Sequence, residues 1–351
     1  MNKRKAAVLV AGSWGTALAT VLAMNDCKVT LWARSAGQAG EINREHRNAR
    51  FIPDAALPDT IRATSDIEEA VSGAELVVFV APSAAMREVA RQAAPFIGSE
   101  TLCVHATKGF EADTLKRMSS VLEEELNTDP RRLVVLSGPS HAEEVVRRQP
   151  TTVVVASVCQ ESAELAQDWF IAPHFRVYTN PDVVGVEVAG AIKNIIALGA
   201  GLSDGLGFGD NAKAALLTRG LTEISRLGVA MGANPLTFAG LAGVGDLVVT
   251  CTSKHSRNWR AGSMLAGGMP LGEVLAKMGM VVEGVRTTSA ARELAARHEV
   301  DMPITEQLYH VLFDHKPPRK AVEDLMGRIR THEMEEVAGS WSLHQSRPPL
   351  I

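Results

Sequence analysis

Aromatic residues are scarce in this sequence, making up 5% of 351 positions, and only two of them are tyrosines. With 22% charged residues beside it, that low share fits the balance of a soluble globular protein. Charge of one sign is also lacking: 36 Lys and Arg stand against 40 Asp and Glu, a formal −4 with no long basic run. Nucleic acid is therefore not expected as a partner. A small phosphorylated molecule remains compatible, since a local basic pocket can sit on a mildly acidic protein. No run of about 18 apolar residues occurs, so no membrane insertion is expected. The four cysteines, Cys27, Cys103, Cys159 and Cys251, lie far apart and form no CxxC pair. They read as reduced, mostly buried thiols. The histidines show neither HExxH nor a ligand-spaced pair beside an acid, so no metal is expected.

Apolar residues, by contrast, make up 46% of the chain. At this length that supplies a core needing no covalent staples, in two domains or one large one. The start, Met1-Asn2-Lys3-Arg4-Lys5, is basic and precedes apolar residues, as a secretion signal does. Residues 6–11 then run straight into a Gly-rich turn and a helical pattern, with no cleavage site, and so read as a first strand. Further strand-like runs fall at 29–32, 76–81, 102–105, 134–136 and 153–156, with helical patterns at 16–24, 85–94 and 115–126 between them. Such alternation predicts βαβ units and a mostly parallel sheet. Ser65-Asp66-Ile67-Glu68 reads as a capping box opening a helix. Beyond Pro181 strand signals stop, and helical patterns occupy 183–199, 212–231, 271–277, 287–297, 304–313 and 321–330.

The segment Val10-Ala11-Gly12-Ser13-Trp14-Gly15 follows the first strand and opens a helix, as a dinucleotide fingerprint requires. Gly12 would let the backbone approach a pyrophosphate, Gly15 would let helix and strand pack closely, and the helix N-terminus would offer N–H groups to phosphate. Val10 stands where GxGxxG has its first glycine, so a β-branched residue must make the tight turn or the turn must differ. The second strand leads into Arg34-Ser35. An acid there would hold a ribose 2′-OH; Arg34 would instead pair with a 2′-phosphate, favouring NADP(H), with NAD(H) possible. The chain is thus read as an α/β protein with an N-terminal Rossmann-like parallel-sheet domain (1–182) and a C-terminal all-helical domain carrying substrate and catalytic groups (183–335). The stretch 336–351 reads as a loose tail.

Three clusters carry the chemistry. Ala106-Thr107-Lys108-Gly109 and Ser137-Gly138-Pro139-Ser140 each follow a strand, where open α/β sheets bind ligands. In Gly190-Ala191-Ile192-Lys193-Asn194-Ile195-Ile196, a lysine interrupts a helix otherwise small or apolar. Desolvation would lower its pKa and fit it to exchange a proton with a developing alkoxide. Downstream, glycines precede Asp246, a candidate partner that would hold Lys193 in place and charged; burial and Asp246 pull the lysine in opposite directions, and the sequence does not decide between them. Arg257 has the fork to grip a phosphate, and Asn258 can bond phosphate or cofactor.

Together these clusters resemble the NAD(P)-dependent glycerol-3-phosphate dehydrogenase family, in its bacterial biosynthetic form. The resemblance is most specific over residues 190–211, Gly-Ala-Ile-Lys-Asn-Ile-Ile-Ala-Leu-Gly-Ala-Gly-Leu-Ser-Asp-Gly-Leu-Gly-Phe-Gly-Asp-Asn. It extends to Phe175-Arg-Val-Tyr178, Gly243-Val-Gly-Asp246, Ser256-Arg-Asn258 and Val282-Glu-Gly284, covering about 6–330; Val10 departs from it. The resemblance implies NAD(P)H-dependent, reversible reduction of dihydroxyacetone phosphate to sn-glycerol 3-phosphate for glycerophospholipid synthesis, with Lys193 as proton donor and acceptor. By the same resemblance Lys108, Gly138, Ser140, Lys193, Asp246, Ser256, Arg257 and Asn258 line the substrate site. Ser13, Trp14, Arg34, Lys108, Ala142, Arg257, Val281 and Glu283 contact the cofactor, beside Gly12 and Gly15. A homodimer is expected from the apolar, glycine-rich helices. The competing enzyme reading is a dehydrogenase of the same plan acting on a hydroxy acid, against which 190–211 argues. The non-enzymatic one is a nicotinamide-sensing protein, which Val10 alone supports.

Overall fold

A computed structural model of the protein describes residues 3–126, 128–329 and 333. The expected tail at 336–351 lies outside the described residues. Eight strands form one sheet: β1 (Lys5–Leu9), β2 (Lys28–Trp32), β3 (Ile61–Thr64), β4 (Leu76–Phe79), β5 (Leu102–His105), β6 (Leu133–Ser137), β7 (Thr151–Ala156) and β8 (Phe175–Asn180). Their spatial order is β3-β2-β1-β4-β5-β6-β7-β8. Neighbours are parallel except β6 and β7, which pair antiparallel. The central strands β4 and β5 are buried at every position, which is why they read as unbroken apolar runs. The outer strands β3 and β8 were not anticipated. Arg62 in one, and Arg176 and Tyr178 in the other, face outward and break the apolar signal.

Because β1 to β6 run the same way, the turns after their carboxyl ends share one edge of the sheet. Chain order reverses between β1 and β4, and the crevice at such a reversal is where open α/β sheets bind nucleotides. Two local expectations shift. The helix over 115–126 spans only Met118–Glu125, since Leu115 holds φ +60° and cannot continue a helical turn. The capping residue near 65 is Asp66, whose carboxylate accepts from the backbone N–H groups of Glu68 and Glu69.

After β8, Asp182 caps a 23-residue helix, Val183–Gly205, by accepting from the Gly185 N–H at 2.8 Å. The same carboxylate accepts from the Asn234 N–H and the Thr237 hydroxyl, tying the helix start to a later turn. Around this helix pack Asp210–Ala230, Asp246–Thr252, Arg257–Ala266, Glu283–Arg297 and Pro303–Phe313. By length and composition Val183–Gly205 would suffice to cross a membrane, but residues 185–203 are buried inside this chain and form the heart of the helical core. Asp246–Thr252 and Arg257–Ala266 were not read from the sequence: one is short and follows a glycine run, and in the other the buried face Asn258, Ala261, Gly262 and Leu265 includes an amide and a glycine, which weakens its apolar signal.

Candidate active site

The turn after β1 keeps the geometry of a nucleotide-binding loop in spite of its valine. Val10 takes φ +84°, the conformation a glycine would supply there. Its N–H and that of Ala11 both donate to the Trp32 carbonyl of β2, and the Gly12 N–H donates to the Val10 carbonyl at 2.8 Å. The helix Ser13–Met24 then begins at Gly12 with no side chain capping it. Gly15 is required by packing, since a Cβ on it would sit 2.2 Å from the Val10 carbonyl oxygen. A Cβ on Gly12 would meet nothing within 4 Å, so that glycine serves no contact inside the protein. Ser13 hydroxyl donates to the Phe51 carbonyl, Trp14 packs partly buried on the sheet core, and Arg34 stands exposed just beyond β2.

Lys108 and Gly138 follow the neighbouring ends of β5 and β6. Gly138 adopts φ +123°, a value L side chains avoid, and its carbonyl accepts from the Lys108 amine at 3.2 Å and from the Ser140 hydroxyl at 2.9 Å. Ala142 opens the short helix Ala142–Val146 behind them. The helical half meets this edge with Asp246. A kinked turn at Leu241–Gly245, where Gly243 has φ −86° and ψ −106°, delivers Asp246 to the first position of its helix. Its carboxylate is shared: one oxygen takes the Lys108 amine at 2.5 Å, the other the amine of Lys193. Lys193 also donates to the Thr250 hydroxyl at 2.7 Å. Thr250 was not among the expected site residues; it lies one helical turn beyond Asp246, a spacing that places it on the same face.

Two further expected residues have internal roles. Ser256 accepts from the Trp259 N–H and so caps the helix Arg257–Ala266. Asn258 donates to the Asn194 side chain at 2.8 Å and accepts from the Gly284 N–H at 2.9 Å, clamping three helices with one amide. Arg257, at the first helical position, reaches solvent, yet the surrounding protein desolvates its guanidinium enough to lower its proton affinity against the pull of Glu283 and Glu143. Glu283 opens the next helix, after Val281, and reaches across to the loop beyond β4, where the Ser83 hydroxyl donates to it at 2.9 Å. Burial pushes the Glu283 carboxyl upward although Ser83 bonds and Arg257 oppose this.

Electrostatics settles the question that composition left open about Lys193. Burial lowers its affinity for a proton, Asp246 raises it, and Lys108 lowers it again. Two amines compete for one carboxylate, and the Lys193 amine ends well below the ordinary lysine range. Burial would push the Asp246 carboxyl up, but Lys108 and Lys193 outweigh burial and hold it ionised. The arrangement is a buried carboxylate shared by two lysine amines at the carboxyl edge of the sheet. It can protonate an oxygen on which negative charge is growing.

Two family models match the chain. The model for the N-terminus of NAD-dependent glycerol-3-phosphate dehydrogenase matches residues 5–163, and that for the C-terminus matches residues 182–323. The chain belongs to the NAD-dependent glycerol-3-phosphate dehydrogenase family. Among its relatives, glycerol-3-phosphate dehydrogenase [NAD(P)+] of Bacillus subtilis is 56% identical over 339 residues, covering 96% of this chain and 98% of the relative. The protein of the same description from Bacillus thuringiensis is 58% identical over 334 residues, covering 95% and 98%. The crystal structure of glycerol-3-phosphate dehydrogenase from Coxiella burnetii superposes with a TM-score of 0.88 at 39% identity, covering 93% of this chain and 99% of that one.

The residues present fit the nicotinamide dinucleotide that the family name implies. A helix N-terminus without a side-chain cap, beside a glycine whose Cβ position faces open space, is the cradle a pyrophosphate needs. Nearby, the Ser137 hydroxyl and His141 Nε2 are buried without hydrogen-bond partners, which leaves polar capacity for a ligand or water in the wall that carries Gly138 and Ser140.

Proposed function

We propose that this chain reduces dihydroxyacetone phosphate to sn-glycerol 3-phosphate, reversibly, with Lys193 as the proton donor and with NADP(H) preferred over NAD(H). The observation that carries the reading is the Lys193–Asp246–Lys108 cluster on the carboxyl edge of the sheet. A bound dihydronicotinamide supplies the hydride, which is the redox chemistry of the reaction. The protein's own groups do the rest. As charge grows on the C2 oxygen, the Lys193 amine donates its proton there, and Lys108 adds a fixed positive field. Asp246 keeps the lysine oriented, and its negative charge keeps two neighbouring cations in one buried place. Thr250 supplies an acceptor to the same amine, narrowing the directions in which it can point.

Arg257, exposed at a helix N-terminus, suits a doubly charged phosphate, and gripping that remote group orients the reacting carbon. Gly138, Ser140 and Ser256 complete the substrate wall, while Asn258 holds the wall together. Gly12 to Gly15 seat the pyrophosphate, Arg34 takes the 2′-phosphate, and Ala142, Val281 and Glu283 line the remaining cofactor groove. On this reading residues 1–182 bind the dinucleotide and 183–335 bring substrate and acid, working as a homodimer in the cytoplasm. Sedimentation over a concentration series tests the dimer. The decisive assay is NADPH and NADH oxidation side by side with dihydroxyacetone phosphate and a panel of hydroxy acids and their keto forms. A higher kcat/KM for any hydroxy-acid couple would overturn the substrate assignment, and NADPH binding without any turnover would overturn the enzymatic one.

A further inference from the structure

A second buried charge cluster lies at the junction of sheet and helices, apart from the amines. Glu187 is on the helix that carries Lys193, six residues earlier, or about 9 Å along the axis. Its carboxylate is almost completely buried, with its side chain 4% exposed. One oxygen accepts from the Ser119 N–H at 2.8 Å and lies 3.1 Å from His105 Nε2. The other accepts from Arg117 at 2.5 Å and from the Ser119 hydroxyl at 2.7 Å. The histidine contact is close but off the hydrogen-bonding line, since neither ring nitrogen of His105 has a hydrogen-bond partner. Burial alone would push the Glu187 carboxyl up; the nearby His105, the charge of Arg117 and the Ser119 bonds outweigh it and hold the group below the ordinary carboxylate range.

All of Glu187's partners belong to the sheet half. His105 is the last residue of β5, three positions before Lys108, and Ser119 lies at the start of the helix Met118–Glu125. One turn on from Glu187, Gly190 packs against Lys108: a Cβ there would come within 3.5 Å of the Lys108 Cγ and 3.0 Å of the Ser137 hydroxyl. The next turn brings Lys193. A single helix is thus bonded at Glu187 to Arg117 and Ser119 at the start of the helix Met118–Glu125, lies beside His105 at the end of β5, comes close to Lys108 at Gly190, and meets the shared carboxylate at Lys193. Apolar side chains of similar volume would hold two elements together as well as a buried ion cluster does, and they would tolerate sliding. Directional bonds to both carboxylate oxygens allow one register only.

We propose that Glu187, with Arg117 and Ser119, is a positioning device that sets the register of the Lys193 helix against the sheet half, and so the spacing of Lys193 and Lys108 on Asp246. This rests on the role given to Lys193 above. Glu187 touches neither amine, and it acts through the helix. A misplacement of about 1 Å at a reacting group can cost about 100-fold in rate. Glu187→Gln keeps the side chain's size and removes the charge that Arg117 answers.

The test uses the full chain, with the pH profile of dihydroxyacetone phosphate reduction as readout. The expected result for Glu187→Gln is a kcat about 10- to 100-fold lower and a displaced alkaline limb, with NADPH affinity unchanged. Should that variant fail to fold, Arg117→Gln is predicted to displace the limb in the same direction, and Arg117→Lys, which retains the charge, to restore it. Folded variants that lose thermal stability yet keep kcat and the limb of the parent would make the cluster merely structural and overturn the proposal. If Lys193→Ala itself kept its turnover, the assignment of the acid would fail instead, so the two failures are distinguishable.

Discussion

Replacing Asp246 by asparagine keeps size and hydrogen-bonding shape and removes one charge, with an effect that can be worked from the site. In the parent, two amines and one carboxylate carry a net +1 when all are ionised; in Asp246→Asn the same buried volume must hold +2. Lys193, with a side chain 6% exposed against 19% for Lys108, pays the greater desolvation penalty and is the one to give up its proton. At an effective dielectric constant of about 20, a charge pair in contact is worth about 4 kcal/mol. A factor of ten in protonation costs about 1.4 kcal/mol, so losing the carboxylate displaces the Lys193 titration downward by about two to three pH units. Reduction needs the protonated amine, and its kcat therefore falls as pH rises through that titration. The alkaline limb of Asp246→Asn should accordingly lie at lower pH, with turnover near neutrality reduced about 100-fold. The assay is initial-rate NADPH oxidation at saturating dihydroxyacetone phosphate across about pH 5–9, where the parent's limb falls mid-range and the variant's turnover should already be falling from the acid end. A limb that superimposes on the parent's, or moves to higher pH, would refute the reasoning, because the carboxylate would then not be what keeps Lys193 charged.

Gly15→Ala must push a methyl group to within 2.2 Å of the Val10 carbonyl, so it should lower the melting temperature clearly, whereas Gly12→Ala, with nothing within 4 Å, should melt like the parent but bind NADPH more weakly. Arg34→Asp should move the kcat/KM ratio from NADPH towards NADH; an unchanged ratio would mean that this exposed side chain does not read the 2′-phosphate. Val10→Gly relieves a valine held at φ +84°, a conformation costing about 1–2 kcal/mol for a side chain with a Cβ. Cofactor affinity should therefore stay equal or improve, and a large loss would show a turn rebuilt around valine.

Much of this was legible before any coordinates. Lys193 declared itself because a cation in a run of small and apolar residues must be buried, and a buried amine must find an acid. Glu187 is an acid in the same run and must be buried for the same reason, but its partners Arg117 and Ser119 lie about 70 residues away and only the fold brings them together. Asp246 was readable as a placed acid from the glycines before it. That Lys108 shares it was not, since 138 residues separate them and only the meeting of a strand end with a distant helix brings them together. Strands β3 and β8 escaped because edge strands alternate over few residues, and the internal duties of Ser256 and Asn258 escaped because capping and clamping partners are tertiary facts.

Single-turnover reduction of dihydroxyacetone phosphate by Lys193→Ala, with NADPH binding measured on the same sample, bears on the central claim most directly. The account predicts intact NADPH binding and a rate lower by about 100- to 10,000-fold, the usual loss of a general acid. A rate within a few-fold of the parent's, with the fold intact, would contradict it.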